Sequence, residues 1–244
     1  MTILILDVSH YQGAMDWNIA KSKGVKGAII KASEGTTWRD DQFKRNVAEC
    51  RRLGIAWGAY HYFYPTMNAM LQASNFIDSL MGYEPNLGIW GDLEQPGAGI
   101  DVSIVAHSFM DEIKKYYSAG IYTSPGYAKY TLNGTAWMKE FPLWIANYGV
   151  TKPTIPLPWT ECVIWQYSSK GTGYGSDGYI DLNQFMRPDS EWQAFSGQTE
   201  EPPVVAPPPV VTPSPVTFTV EDKAHLDALW LAFKASHPTS ANPA

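Results

Sequence analysis

Residues 56–94 read AWGAYHYFYPTMNAMLQASNFIDSLMGYEPNLGIWGDLE. The first eight residues, Ala56–Phe63, form a β-rich run of aromatic and small residues. The stretch Met67–Met81 is helix-compatible. A second short apolar run, Gly88–Asp92, follows a Pro/Asn/Gly turn. Strand, helix and strand within forty residues make a βαβ unit, which calls for a parallel sheet. The pattern extends in both directions. Thr2–Asp7 and Lys26–Ala32 precede it as strand candidates, with helices at Asp16–Lys23 and Asp40–Leu53. Beyond it come strands at Gly120–Thr123, Leu143–Asn147, Val163–Tyr167 and Tyr179–Phe185, and a helix at Val102–Ser118. After the fifth strand the spacers shorten and gain Pro and Gly, as in Lys152-Pro-Thr-Ile-Pro-Leu-Pro158. Eight β-runs with helices mainly in the first half predict an α/β fold, an incomplete TIM-like β/α barrel.

Composition bounds the rest. The chain has 244 residues, of which 17% are charged and 14% aromatic, with 10 Trp and 14 Tyr. A charge-poor, aromatic-rich chain buries a large core, and disorder throughout is excluded. Surplus Trp and Tyr also suit a ligand surface for sugars or peptides. The formal net charge is −6 with no basic stretch, so nucleic-acid binding by phosphate neutralisation is not expected. No metal-ligand motif appears, and no cofactor is implied. Two cysteines, Cys50 and Cys162, exclude a disulfide scaffold and leave their pairing open. No apolar run approaches a membrane span. The start, Met1-Thr2-Ile3-Leu4-Ile5-Leu6-Asp7, reads as a strand rather than a signal peptide.

A barrel of this type carries its site at the C-terminal ends of the strands. Those ends offer Asp7, Lys31 and Glu34, Tyr60 and Tyr62, Asp92 and Glu94, Tyr122, Asn147 and Tyr148, Gln166, and Asp181 with Asn183. Asp92 and Glu94 are the sharpest pair. At i and i+2 they share one side of a strand, with Cα atoms roughly 6–7 Å apart. Repulsion and partial burial then raise one pKa, and Glu94 on its longer arm is the expected acid. Such an acid protonates a glycosidic oxygen while its ionised neighbour stabilises the anomeric carbon. The competing reading is a solvated or capping pair. Asp7 and Asp181 read either as loop caps or as a second carboxylate group across the cleft. Among the aromatics, alternation puts Tyr60 and Tyr62 on one face and Trp57, His61 and Phe63 on the other. Tyr62 is the rim candidate. His10 and His61 are ambiguous between structural and functional roles.

Seven ordered motifs now resemble a known family. They are Asp7-Val-Ser-His-Tyr-Gln-Gly13, Lys31-Ala-Ser-Glu-Gly35, Gly58-Ala-Tyr-His-Tyr-Phe63, Asp92-Leu-Glu94, Leu143-Trp-Ile-Ala-Asn-Tyr148, Trp165-Gln-Tyr167 and Ile180-Asp-Leu-Asn183. In this order they resemble glycoside hydrolase family 25, the N-acetylmuramidase-type lysozymes. The resemblance spans residues 3 to about 195. It implies an irregular, flattened β/α barrel and cleavage of the β-1,4 bond from N-acetylmuramic acid to N-acetylglucosamine in peptidoglycan. By motif, it implies Glu94 as proton donor and Asp92 as the carboxylate assisting at the anomeric centre or steering the 2-acetamido group. It further implies Asp7 and Asp181 as the other acids of the cleft and Tyr62 as a lining residue. Tyr60, Asn147 and Gln166 complete the expected substrate-binding set. The estimated spacing of the two acids falls between those of the two glycosidase classes, and acetamido assistance is the favoured route. Gly91 departs from the family pattern, where a bulkier apolar residue is usual.

Composition shifts near residue 197. The catalytic barrel is expected over 1–197, a Pro-rich linker over 198–217 and an amphipathic helical tail over 218–244. Within the tail, Leu226, Leu229, Trp230 and Phe233 make an apolar stripe behind a Thr219/Asp222 cap. One helix does not bury that stripe alone. Self-association, docking on the barrel and wall or membrane attachment are the open partners. A barrel, a Pro-rich linker and no signal peptide resemble a bacteriophage endolysin, made in the host cytoplasm and released to the wall by a holin-type route. The alternatives are a chitinase-like hydrolase, whose longer D-x-x-D-x-D-x-E run is missing, and a non-catalytic wall-binding module.

Overall fold

The computed structural model describes residues 2–197. The linker and helical tail expected over 198–244 lie outside the described residues. Nine strands form one sheet: β1 (Leu4–Val8), β2 (Val25–Glu34), β3 (Trp38–Arg39), β4 (Ala56–Tyr62), β5 (Ile89–Asp92), β6 (Ala119–Thr123), β7 (Leu143–Ala146), β8 (Ile164–Gly171) and β9 (Ile180–Phe185). The order is β1-β9-β8-β7-β6-β5-β4-β2-β3, and a further β1–β2 pairing closes eight of the strands into a barrel. The barrel is thus complete rather than incomplete. All eight β-runs read from the sequence are strands of it, and β3 is a two-residue hairpin arm on β2.

Among the described residues six α-helices are interleaved: α1 (Trp17–Ser22), α2 (Phe43–Leu53), α3 (Ala69–Ser79), α4 (Val102–Ile113), α5 (Pro125–Tyr130) and α6 (Asp189–Ser196). Their starts follow local capping chemistry. Asp16, Asn68, Asp101 and Ser124 each accept hydrogen bonds from first-turn amides of α1, α3, α4 and α5. Pro125 stands in the first turn of α5, where its missing N–H costs nothing.

Seven barrel strands run parallel, but β9 pairs antiparallel with both β8 and β1. Asp181 therefore reaches the active rim from the beginning of the last strand, not from its end. The register sets Asp181 directly opposite Asp7. Parallel pairing aligns Tyr62 with Asp92, and Asp92 with Tyr122.

Alternation then builds the interior. Successive side chains point to opposite faces, so residues two apart share one. The face holding Ile5, Ile29, Trp90, Ile164 and Phe185 packs as one buried apolar cluster. Two residues further toward the rim, the same face carries Asp7, Lys31, Asp92, Gln166 and Asn183. Each strand thus supplies an apolar floor and then a polar mouth. The opposite face packs on the helices, with Leu6, Ile30, Ala59 and Ile121 against Phe76, Phe109 and Met110. Gly91 finds its reason here. A Cβ at 91 would stand 2.4 Å from Met110 Sδ and 3.1 Å from Phe109 Cε1, so α4 packs where a larger residue would stand. Cys50 and Cys162 are both buried free thiols.

Candidate active site

The mouth of the barrel is a cleft of about 350 Å³ whose walls include Asp7, Asp92, Glu94, Asp181, Tyr60, Tyr62 and Gln166. That volume lies within the range of small-molecule sites. Seven of the eight site residues read from the sequence meet there. Asn147 does not line the cleft. Its Oδ1 accepts from the Thr154 amide at 2.9 Å, and its carbonyl accepts from Trp165 Nε1 at 2.8 Å. It shapes the loop after β7, because the chain has already left the strand at Ala146.

Asp7 is buried and held by amides. Asn183 Nδ2 donates to its Oδ2 at 2.7 Å and Gln166 Nε2 donates to the same atom at 2.9 Å. Gln166 is oriented in turn. Its Oε1 accepts from Tyr122 Oη at 2.9 Å and also from Tyr148 Oη. Asn183 Oδ1 accepts from Trp144 Nε1 at 2.7 Å. Burial and the neighbouring Asp181 push the Asp7 carboxyl well above the usual carboxylate range, against the pull of its two amide donors.

Asp92 is 6% exposed, and its Oδ1 is buried without a protein hydrogen-bond partner. Burial first, then the charge of Glu94, push its carboxyl well above the usual range, and the Lys31 ammonium opposes them. Glu94 stands one residue beyond the buried Leu93 and opens into the cleft. Desolvation within the groove raises its pKa too, countered chiefly by a hydrogen bond from Tyr62 and by Lys31. The sequence places the shift on Glu94 alone. The structure raises both acids, with burial the largest cause at each: Asp92 ends a strand inside the barrel, and Glu94 stands in the groove just beyond it.

Lys31 and Glu34 form an ion pair of 2.6 Å on the wall of the cleft. The Lys31 Nζ also lies 4.9 Å from the centre of the Tyr62 ring. Strand-end position pointed to Lys31, Glu34 and Tyr122, but Trp144 gave no such signal, being an ordinary apolar strand residue. The two ambiguous histidines are structural. His61 is fully buried, its Nδ1 2.9 Å from Ser33 Oγ, and burial lowers its pKa to about 3. His10 Nδ1 sits 2.9 Å from Asp40 Oδ2. Among the described residues no cluster of His, Cys, Asp and Glu is arranged to hold a metal ion, and no helix is long and apolar enough to cross a membrane.

A closed barrel with five carboxylates at its mouth matches a known sequence family. Residues 6–176 match the profile of glycosyl hydrolases family 25. The chain belongs to that family. It is 32% identical over 197 residues to lysozyme M1 of Streptomyces globisporus, covering 74% of this chain and 66% of the relative. It is 34% identical over 183 residues to the autolytic lysozyme of Clostridium acetobutylicum, covering 74% of this chain and 55% of the relative. The chain thus spans less than two thirds of the length of these two curated relatives. Among solved structures, the CTP1L endolysin superposes with a TM-score of 0.72 at 31% identity, covering 82% of this chain and 71% of that one. The lysozyme of Streptomyces coelicolor gives 0.71 at 28% identity, covering 80% and 97%. In this family-25 barrel the floor of the cleft is apolar and its acids stand on β1, β2, β5 and β9 or just beyond β5.

Proposed function

We propose that this family-25 chain is a peptidoglycan hydrolase that cleaves the β-1,4 bond between N-acetylmuramic acid and N-acetylglucosamine. The observation that carries the reading is the convergence of Asp7, Asp92, Glu94 and Asp181 on one saccharide-sized cleft. In this mechanism Glu94, open to the cleft, gives its proton to the glycosidic oxygen as the bond to the anomeric carbon breaks. Its raised pKa keeps that proton available at a pH where an ordinary glutamate has lost it. The oxygen of the substrate's own 2-acetamido group closes on the anomeric carbon. Its N–H turns acidic as positive charge develops on the new ring. The two acids titrate as a pair, and in the form that holds one proton on Glu94 the ionised Asp92 presents its partnerless Oδ1 as the acceptor for that N–H. Water then opens the cyclic intermediate and Glu94 recovers its proton. Asp7 and Asp181 bind sugar hydroxyls on the facing wall, and Tyr62 and Tyr60 line the reacting sugar's subsite with Gln166.

The similarity to the CTP1L endolysin supports a finer reading. On it, the chain is an endolysin made in a bacterial host's cytoplasm and released by a holin-type route to the wall, which is its partner. Self-association through the 218–244 segment belongs to the same proposal. Mass spectrometry of digested peptidoglycan tests the bond assignment. Products ending in reducing N-acetylmuramic acid are expected. Reducing N-acetylglucosamine ends, or binding to walls with no new reducing ends, would overturn it.

A further inference from the structure

The cleft continues past its carboxylates. Beyond Glu34 its wall is formed by Gln12 and Tyr11. Tyr11 is 80% exposed, on a backbone turn that is firmly closed. It is the middle residue of a 3-10 turn, His10–Gln12, closed at its start by reciprocal bonds between Ser9 and Gln12. Both the amide and Nδ1 of His10 lie 2.9 Å from Oδ2 of the buried Asp40. The His10 ring then packs 4.1 Å from the ring of Tyr11 on one side and 5.0 Å from that of Trp38 on the other.

Trp38 is 38% exposed. It sits on β3 opposite Glu34, the cleft residue. The hairpin joining them is clamped by the buried Asn75, whose Nδ2 lies within 3.1–3.3 Å of the carbonyls of Glu34, Gly35 and Trp38. The Lys31 ammonium lies between two rings, 5.2 Å from Trp38 and 4.9 Å from Tyr62. Two large rings on firmly closed turns are therefore left open to water beside the cleft: Tyr11 lines it, and Trp38 adjoins its lining residues Glu34 and Lys31. Core packing gives no reason for either to be exposed. A flat ring offers an apolar face to the C–H face of a pyranose, and its polar tip tolerates solvent. The closed backbone turns that carry the rings reduce what ordering costs on binding. Glu34 and Gln12 line the same cleft, Glu34 paired with Lys31 and Gln12 bonded to Ser9.

We infer that Tyr11 and Trp38 form a further saccharide subsite, which takes an N-acetylhexosamine of the glycan strand beyond the sugars at the carboxylates. This rests on the glycosidase reading of the cleft. The test is calorimetric titration of Glu94→Gln, which suppresses turnover, with di-, tetra- and hexasaccharides of alternating β-1,4 N-acetylglucosamine and N-acetylmuramic acid. Affinity is expected to step up with length by about two- to tenfold per added platform ring. Adding Tyr11→Ala or Trp38→Ala abolishes that step, and Tyr11→Phe keeps it, because the ring does the stacking. A length step that survives both alanine variants overturns the inference alone. So does an equal loss at every length, which marks a merely structural role. No binding at any length overturns it together with the glycosidase reading.

Discussion

Asn183→Leu is the sharpest probe of how the cleft is held. Leucine keeps the branched skeleton but is bulkier, so the change removes the polar contacts, leaves no cavity and adds some overpacking to the cost. In the native chain Asn183 Nδ2 donates to Asp7 Oδ2 at 2.7 Å and to the Ile5 carbonyl at 3.3 Å, and Oδ1 accepts from Trp144 Nε1 at 2.7 Å. All of these groups are buried. The bond to a carboxylate contributes about 1.5–3 kcal/mol, and the orphaned indole N–H costs about 1–3 kcal/mol. The total is on the order of 4 kcal/mol. At roughly 2–4 °C per kcal/mol for a domain of this size, Tm falls by about 8–16 °C. Differential scanning calorimetry at fixed pH measures it. Activity falls as well, because Asp7 loses a donor that holds its carboxyl down and fixes its direction. A Tm within about 2 °C of native would refute this account of the buried amide network.

Other perturbations separate stability from chemistry. Asp92→Asn removes a buried acid whose folded-state pKa is raised, so it is expected to lose nearly all activity while raising Tm at neutral pH. The gain should shrink near pH 4, where Asp92 is protonated anyway, and a Tm loss at neutral pH would contradict the burial argument. For the native chain the sign is the same at Asp7, Asp92, Glu94 and Asp181. The folded state keeps protons that the unfolded chain releases, so their contribution to stability declines as pH rises above the ordinary values of 3.8 and 4.5. Removing all four charges as amides should flatten this decline in pH-dependent melts. Gly120→Ala would set a Cβ 2.4 Å from Trp90 Cζ3, against a ring pinned by its own bond to the Leu87 carbonyl, and should cost about 1–3 kcal/mol. Gly126→Ala, in α5 with nothing within 4 Å, should instead stabilise by about 0.5–1 kcal/mol. Thermal melts of the two variants check the contrast.

The strands were legible because each is a short β-branched or aromatic run bounded by turn residues, and the site was legible because polar residues close those runs. The direction of β9 was not. Alternation along Ile180–Phe185 looks the same whichever way the strand runs, and only its pairing with β8 and β1 decides it. The segments α5 and β3 span six and two residues, too few for a periodic pattern to show. Yet Ser124-Pro125 is a helix-start signature in its own right. Asn147 looked like a site residue because it follows an apolar run. The strand stops one residue earlier, and the loop takes its side chain. The depth of Asp92 was hidden for a related reason. Spacing shows that two acids share a side but not which one lies inside the barrel wall.

The central claim is that the proton on Glu94 starts the cleavage. The direct measurement is the rate of reducing-end release by Glu94→Gln against the native chain across pH, with circular dichroism verifying the fold. The account predicts a loss of about 10²–10⁴-fold, together with disappearance of the native alkaline limb, which lies above the ordinary glutamate range. Activity within tenfold of native, with the same alkaline limb, would contradict it.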